Sequence, residues 1–331
     1  MIKVTIADVA KEAGVSTMTV SRVINNKGEI SPVTRKRVQG VIDRLGYQPS
    51  AIARSLSTNR TQTFGLVVPD ITNPFFPGIV RGAEDTATAQ GYSIILCNTV
   101  ENLAREQEAL ELLEGKRVDG VVVCSARLPD AELLLLIKRH PAAVLFNRPA
   151  LNGVSGSVQV DDAYGAMCAV QHLVAARRQT IGFLSGPPYS YSGQRRALGF
   201  TAALEAAGYA VAPELQAPCS PTEGGGYQAA RKLLTDNPEI DGLVCYNDLV
   251  AIGVLQACAA LGVGVPEDVA VVGCDDIRMA SLIKPSLTTL RVSKYQLGQR
   301  LVRMLLDRLE NREGAESVLV KPELITRESA P

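Results

Sequence analysis

From Thr61 onward, seven short apolar runs recur along the chain: FGLVVPD (64–70), YSIILCN (92–98), DGVVVCS (119–125), AAVLFN (142–147), TIGFLSG (180–186), DGLVCYND (241–248) and VAVVGCDD (269–276). Most are continuously apolar and rich in β-branched residues, the pattern of a strand buried on both faces. Helix-like stretches such as Glu101 to Glu114 and Ala131 to Arg139 lie between them. Strands alternating with helices predict βαβ units and parallel sheets. There are too many runs for one compact sheet, and the series breaks near Asn152–Asp162. Two doubly wound lobes are therefore expected. Ligands of such sheets sit beyond the carboxyl ends of the strands. That directs attention to the residues after each run: Asp70–Phe76, Ser125, Asn147 and Arg148, Gly186–Arg196, Asn247 and Asp248, and Cys274–Asp276.

Residues 1–48 are of another kind, helical in periodicity and basic. Thr5 is suited to cap a helix, with Asp8 completing a capping box, Val9, Ala10 and Ala13 as its apolar stripe and Gly14 as its stop. Ser16 caps a second helix whose Val20, Val23 and Ile24 share a face, while Met18 and Arg22 share another. A third helix starts at Ser31-Pro32 and runs to about Leu45, before Gly46. Two short helices joined by a tight turn form a helix-turn-helix, whose second helix can enter a DNA major groove. The charge agrees. The whole chain balances 34 Lys/Arg against 34 Asp/Glu, yet residues 1–60 hold ten basic and four acidic side chains. A basic head on an acidic body fits a chain that meets phosphate at one end. Arg35, Lys36 and Arg37 suit either a solvated face or phosphate contact.

The stretch TIADVAKEAGVSTMTVSRVIN, then SPVTRKRVQGVIDRLGYQPSAIARSLSTNRTQTFGLVVPDITNPFF, closely resembles the lac repressor/galactose repressor family of bacterial transcription regulators. The resemblance continues through GPPYSYSGQRRALGF, CYNDLVAIGVLQA, VPEDVAVVGCDD and PSLTTLR, and so spans essentially the whole chain. It implies a helix-turn-helix head on residues 1–48, a hinge on 49–60, and a two-lobed, periplasmic-binding-protein-like α/β body on 61–331. The groove-reading positions then fall on Thr17, Met18 and Arg22. Arg22 can fork onto guanine, and Met18 can lie against a thymine methyl. Ser16, Thr19 and Ser21 would contact phosphate or cap the helix, and Thr5, Asn25 and Ala53 complete the expected DNA-facing set. In the resembling family the hinge becomes a helix only on the operator and wedges a leucine into the minor groove, here Leu56.

The same resemblance implies a dimer, with a small effector held between the lobes and double-stranded, pseudo-palindromic operator DNA as the partner. The expected effector contacts are Asn73, Phe75, Phe76, Ser125, Asn147, Arg148, Arg196, Asn247 and Asp275. Aromatic faces and forked polar groups suit a polyhydroxylated ligand such as a sugar. Helix capping competes as a role for Asn247, and Asp248 reads as capping or lobe support. Cys124 is expected to line the cleft beside Ser125. Two departures reduce polar capacity: Asn147 where sugar-binding relatives often carry Asp, and Val292 where they often carry Gln. Pentose, hexose and nucleoside all stay open, as do inducer and corepressor modes, the latter as in purine-responsive members. No leucine heptad follows Pro322, which favours a dimer over a tetramer.

Other classes fit poorly. Only His140 and His172 are present, neither near a G-x-S-x-G turn. GKR at 115–117 and GGG at 224–226 lack phosphate-loop spacing and read as turns. Cys and His lack metal-site spacing, so neither catalysis nor a cofactor is expected. A sugar-binding transport or chemotaxis protein would suit the body alone, but not its basic head or an N-terminus without signal-peptide character. The seven scattered cysteines read as buried reduced thiols, and with no membrane-length apolar run the expected location is cytoplasmic, on the nucleoid.

Overall fold

The structure is a computed structural model describing residues 4–26, 28–48, 60–151, 153–312 and 317–331. It divides into two compact units, residues 1–62 and 63–331.

In the first unit, helices α1 (Ile6–Ala13), α2 (Thr17–Ile24) and α3 (Pro32–Leu45) enclose a core of Val9, Ala10, Ala13, Val20, Val23, Val38 and Val41. Thr5 and Asp8 form the capping box, and Gly14 (φ +63°) ends α1. The Ser16 hydroxyl accepts the Thr19 N–H at 3.2 Å. The caps thus lie where the sequence predicts them, and they satisfy N–H groups that the short helices would otherwise leave unpaired.

The second unit holds two six-stranded sheets among the described residues. Lobe 1 contains β1 (Thr63–Val68), β2 (Ser93–Asn98), β3 (Gly120–Cys124), β4 (Ala143–Phe146), β5 (Gly156–Val160) and β11 (Ser317–Val320), in the order β11-β5-β4-β3-β1-β2, all parallel. Lobe 2 contains β6 (Ile181–Leu184), β7 (Gln216–Ala217), β8 (Gly242–Cys245), β9 (Ala270–Asp275), β10 (Thr288–Arg291) and β12 (Glu323–Ile325), in the order β12-β10-β9-β8-β6-β7. Only the β10–β12 pair is antiparallel. Helices α4 (Phe75–Ala89), α5 (Leu103–Gly115), α6 (Asp130–Ile137) and α11 (Lys294–Leu309) belong with lobe 1. Lobe 2 has α7 (Asp162–Ala175), α8 (Tyr191–Ala206), α9 (Glu223–Asp236) and α10 (Asp248–Leu261).

The chain passes between lobes after β5, after β10 and again after β11. The first passage, at Asp161, falls inside the expected break, with one correction: a strand absent from the apolar runs, β5 (GSVQV), lies within 152–162 and pairs with β4 and β11. Its Ser157 and Gln159 hide it from an apolar search. Inside the sheet they are satisfied: the Ser157 hydroxyl donates to the Arg148 carbonyl at 2.6 Å, and the Gln159 amide donates to Ser157 at 2.9 Å.

Gly224–Gly226 are a second correction, since they open α9 instead of forming a turn. A methyl at Gly226 would lie 2.3 Å from the Val250 carbonyl oxygen. The glycines cost helix propensity but let α9 and α10 cross with backbones in contact.

Candidate functional site

On the head, Thr17, Met18, Arg22 and Asn25 are exposed at or after the second helix, and Met18 keeps 63% of its surface open. Arg22 makes no ion pair among the described residues, which leaves its guanidinium available. Other polar groups are partly engaged. Thr5 donates its hydroxyl to Asp8 at 2.7 Å, Ser16 and Thr19 share a 3.0 Å hydroxyl contact, and the Asn25 amide donates to the Ser21 carbonyl at 2.9 Å. Arg35 turns inward and donates to the Val23 carbonyl at 3.4 Å, while Lys36 and Arg37 stay exposed. Ala53 and Leu56 lie outside the described residues.

In the body, the strand ends of the two lobes face one another across a cleft. Lobe 1 lines it with Asn73, Phe75, Phe76, Glu101, Ser125, Arg127 and Asn147, and lobe 2 with Ser192, Arg196, Pro221, Tyr246, Asn247 and Asp275. Eight of the nine predicted effector residues meet here. The free space is about 40 Å³, room for a water but far short of the several hundred Å³ of a typical ligand pocket. A sugar-sized occupant needs more room than this arrangement of the lining leaves. A roomier groove of about 470 Å³ lies on the outer side of α4 and α11, away from the strand ends.

Arg148, the ninth residue, faces elsewhere. Its guanidinium donates to Asp130 at 2.6 and 3.1 Å and to the Ala126 carbonyl at 2.7 Å, stitching lobe 1 internally. Cys124 is likewise no part of the lining. It sits in the lobe 1 core, where burial pushes its thiol up to about 12. All seven cysteines are free, four of them buried and three half-buried.

Three lining residues at strand ends have left-handed backbones without being glycine: Ser125 (φ +49°), Asn147 (φ +50°) and Asp275 (φ +126°). Such conformations are costly and cluster at functional sites. The Asn147 carbonyl oxygen of the side chain accepts the Val160 N–H at 2.8 Å, leaving its amide NH₂ for the cleft. Asn73 similarly accepts the Phe75 N–H at 3.0 Å. Phe75 and Phe76 meet edge to face at 5.3 Å and are mostly buried, so they offer rims rather than open faces. Asn247 caps α10 by accepting the Val250 N–H at 2.8 Å, and its NH₂ donates to the Pro221 carbonyl at 3.3 Å.

Charge is arranged in pairs with one exception. Arg196 is buried, donates to Asp162 at 2.9 Å, reaches the Tyr246 carbonyl, and stacks 5.0 Å from the Tyr246 ring. Arg127 forks onto Glu101 at 2.6 and 3.0 Å and lies 5.7 Å from the Tyr189 ring of the other lobe. Asp275 is 7% exposed, and its carboxylate makes no hydrogen bond among the described residues. Burial pushes its pKa up to about 8, against the pull of Arg196. A mostly buried carboxylate that opens only onto the cleft is costly to ionise, and a ligand's hydroxyls can donate to it there. Asp248 supports the lobe, accepting the Ile277 N–H at 2.8 Å and the Thr289 hydroxyl at 2.5 Å.

Sequence reasoning missed Glu101, Arg127, Pro221 and Tyr246, and left Ser192 unnamed within the Gly186–Arg196 stretch it had marked. Arg127 lies two positions beyond its strand run and Tyr246 inside one, so the rule of inspecting strand ends came close. The pairing of Arg127 with Glu101 had no local signal.

Residues 5–50 match the family described as bacterial regulatory proteins, lacI family, and residues 170–330 match a periplasmic binding protein-like domain. The HTH-type transcriptional regulator RegA of Clostridium saccharobutylicum is 38% identical over 326 residues, 98% of each chain. The chain belongs to the lacI family of bacterial regulatory proteins. A second relative of this lacI-family protein is the HTH-type transcriptional repressor PurR of Proteus mirabilis, 37% identical over 98% of this chain and 96% of that one. Among solved structures, the lac repressor dimer bound to operator and the anti-inducer ONPF has 26% identity and a TM-score of 0.89, covering 99% of both chains. The complex of the transcriptional regulator CelR with cellobiose has 31% identity and a TM-score of 0.75, covering 99% of this chain and 100% of that one. This lacI-family chain is a DNA-binding transcriptional regulator and not an enzyme. No helix among the described residues is long and apolar enough to cross a membrane.

Proposed function

We propose that the chain represses carbohydrate-use genes, and that a small polyhydroxylated effector bound between the lobes controls its hold on operator DNA. The observation that carries this reading is the Asp275 carboxylate, without a hydrogen bond among the described residues, in a cleft that also presents the amides of Asn73, Asn147 and Asn247, the hydroxyls of Ser125 and Ser192, and aromatic rims. Vicinal hydroxyls donate in pairs to a carboxylate, and the free NH₂ of Asn147 can donate back to a ring or hydroxyl oxygen. CelR, which resembles this chain over its full length, is seen with cellobiose. A purine or nucleoside is the second reading, supported by the PurR relatives and by the Tyr246 ring in the lining.

In this reading the regulator acts in the cytoplasm on the nucleoid. Two copies engage a pseudo-palindromic operator through Thr17, Met18 and Arg22, with the backbone contacts of Thr5, Ser16, Thr19, Ser21 and Asn25 setting register. Residues 1–48 act as the reading head, 49–60 as the hinge with Ala53 and Leu56 in the minor groove, and 61–331 as the sensor. The effector shifts operator affinity only as far as it prefers one lobe arrangement over the other. A thermal-shift screen of D-ribose, cellobiose and adenosine, followed by operator gel shifts with and without the binder, tests it. A binder that raises Tm and changes operator affinity supports the reading, and the absence of any binder among sugars and nucleosides defeats it.

A further inference from the structure

Helix α11 belongs to lobe 1, where its first turns lie against α4: a methyl at Gly78 would meet the Lys294 Cβ at 2.9 Å. From this anchorage Lys294 reaches across to lobe 2. Its ammonium donates to the Asp275 carbonyl at 2.5 Å and to the Asp276 carbonyl at 2.9 Å, while lying 6.0 Å from the Phe75 ring. Those carbonyls belong to two successive left-handed residues, Asp275 (φ +126°) and Asp276 (φ +48°), neither of them glycine. Lobe 2 holds the bend too: Arg327 donates to the Asp276 carboxylate at 2.6 Å, and the Thr289 hydroxyl accepts the Asp276 N–H at 3.3 Å. A strained pair persists only when its surroundings over-determine it. The direction in which the Asp275 side chain leaves this bend decides where its carboxylate stands in the cleft.

We propose that Lys294 is a positioning residue for the effector: from lobe 1 it clamps the left-handed Asp275–Asp276 bend of lobe 2, and so aims the Asp275 carboxylate at the ligand. The inference rests on the reading that the interlobe cleft binds the effector. It makes the aim of a lobe 2 side chain depend on lobe 1 being in place. Parting the lobes withdraws the ammonium from both carbonyls and frees the bend. Closure and ligand contact thereby become one event, which is the differential interaction that a two-state switch requires.

The charge of Lys294 adds a signature that packing alone would not. The charged groups facing Asp275 are Arg196 on α8, Lys294 on α11, Asp248 on α10 and Asp162 on α7. The two cations favour ionised Asp275, and the two carboxylates oppose it. Ligand hydroxyls donate to the ionised form, so affinity should rise with pH through the Asp275 titration and level off above it. Without the ammonium the carboxylate ionises later, and the midpoint of that rise moves to higher pH.

The test titrates the full-length protein calorimetrically across pH with whichever of D-ribose, cellobiose and adenosine raises the wild-type Tm most. Lys294→Met should weaken binding about ten-fold at neutral pH, the scale seen when supporting residues are removed from a site. Its affinity midpoint should rise by about half a pH unit or more as the cation is lost. Lys294→Arg should keep the wild-type midpoint, because it keeps the charge. If the Met variant does not fold, Lys294→Gln against Lys294→Arg makes the same comparison. Unchanged affinity and midpoint in the neutral variant overturn the inference. So does weaker binding with an unmoved midpoint, which general loosening of the lobes would give. Asp275→Asn keeps the two ideas apart: loss of binding there alongside wild-type behaviour of Lys294→Met leaves the cleft reading standing and removes Lys294 from it. A wild type that binds none of the probes defeats the cleft reading and this inference with it.

Discussion

Replacing Asp275 by Asn should make the protein more stable while removing its effector response. The carboxyl ionises near 3.8 in an unfolded chain, whereas burial pushes it up to about 8 in the folded one. At pH 7.5 unfolding therefore releases a proton that the folded state holds, and the cost to stability approaches about 5 kcal/mol. The amide of Asn must also be buried without a partner, which returns part of that gain, so a net increase of about 2–3 kcal/mol is expected. For a body spanning residues 63–331 that is a rise in Tm of about 3–5 °C.

The sign follows from the direction of the shift. Because the folded pKa is raised, the contribution of Asp275 to stability is fully present below 3.8 and is lost as pH rises to about 8. Differential scanning calorimetry of both proteins at several pH values should show a Tm gap that is small near pH 4, widens towards pH 8 and then stays constant. Comparing the two proteins cancels groups remote from Asp275; Asp248, itself pushed up to about 6 by burial, faces Asp275 and ionises more readily once that charge is gone, which adds to the gap in the same direction. A gap that is absent, reversed or independent of pH would refute the claim that this carboxylate lacks a partner.

Arg22→Ala should weaken operator binding by about 1–3 kcal/mol at one base position while sparing non-specific binding, measured by gel shift against single-base operator variants at fixed salt. Thr5→Ala removes one half of the capping box and should cost the head about 1 kcal/mol, visible as a lower unfolding temperature of that unit while the body's is unchanged. Gly82→Ala would place a methyl 2.0 Å from the Tyr295 carbonyl oxygen. Forcing α4 and α11 apart should cost the body roughly 1–3 kcal/mol or more by thermal denaturation, and a neutral result would mean the two helices slide without penalty.

Much of this architecture was legible because its signals are local. Thr5, Ser16 and Ser31 announce helix starts through hydrogen bonds made within four residues, and Gly14 announces a stop. Buried parallel strands such as VVVC must be apolar on both faces, so they stand out as runs. The polar strand β5 did not, because what satisfies Ser157 is a carbonyl from the preceding loop. Arg148 looked like a ligand contact because a strand-end arginine has few uses, yet Asp130 and a nearby carbonyl occupy its whole fork.

Seven of the twelve described strands, the three helices of the head and the strand ends that line the cleft were legible as patterns within single segments of sequence. Tertiary structure alone decided which charges stay unpaired. Arg196 finds Asp162 and Arg127 finds Glu101 across 34 and 26 residues, whereas the Asp275 carboxylate, brought to the cleft at the end of β9, makes no hydrogen bond among the described residues. Spacing along a chain carries no record of such meetings. Burial raises the cost of every buried charge, and only the folded packing determines which of them is answered by a neighbour and which waits for a ligand.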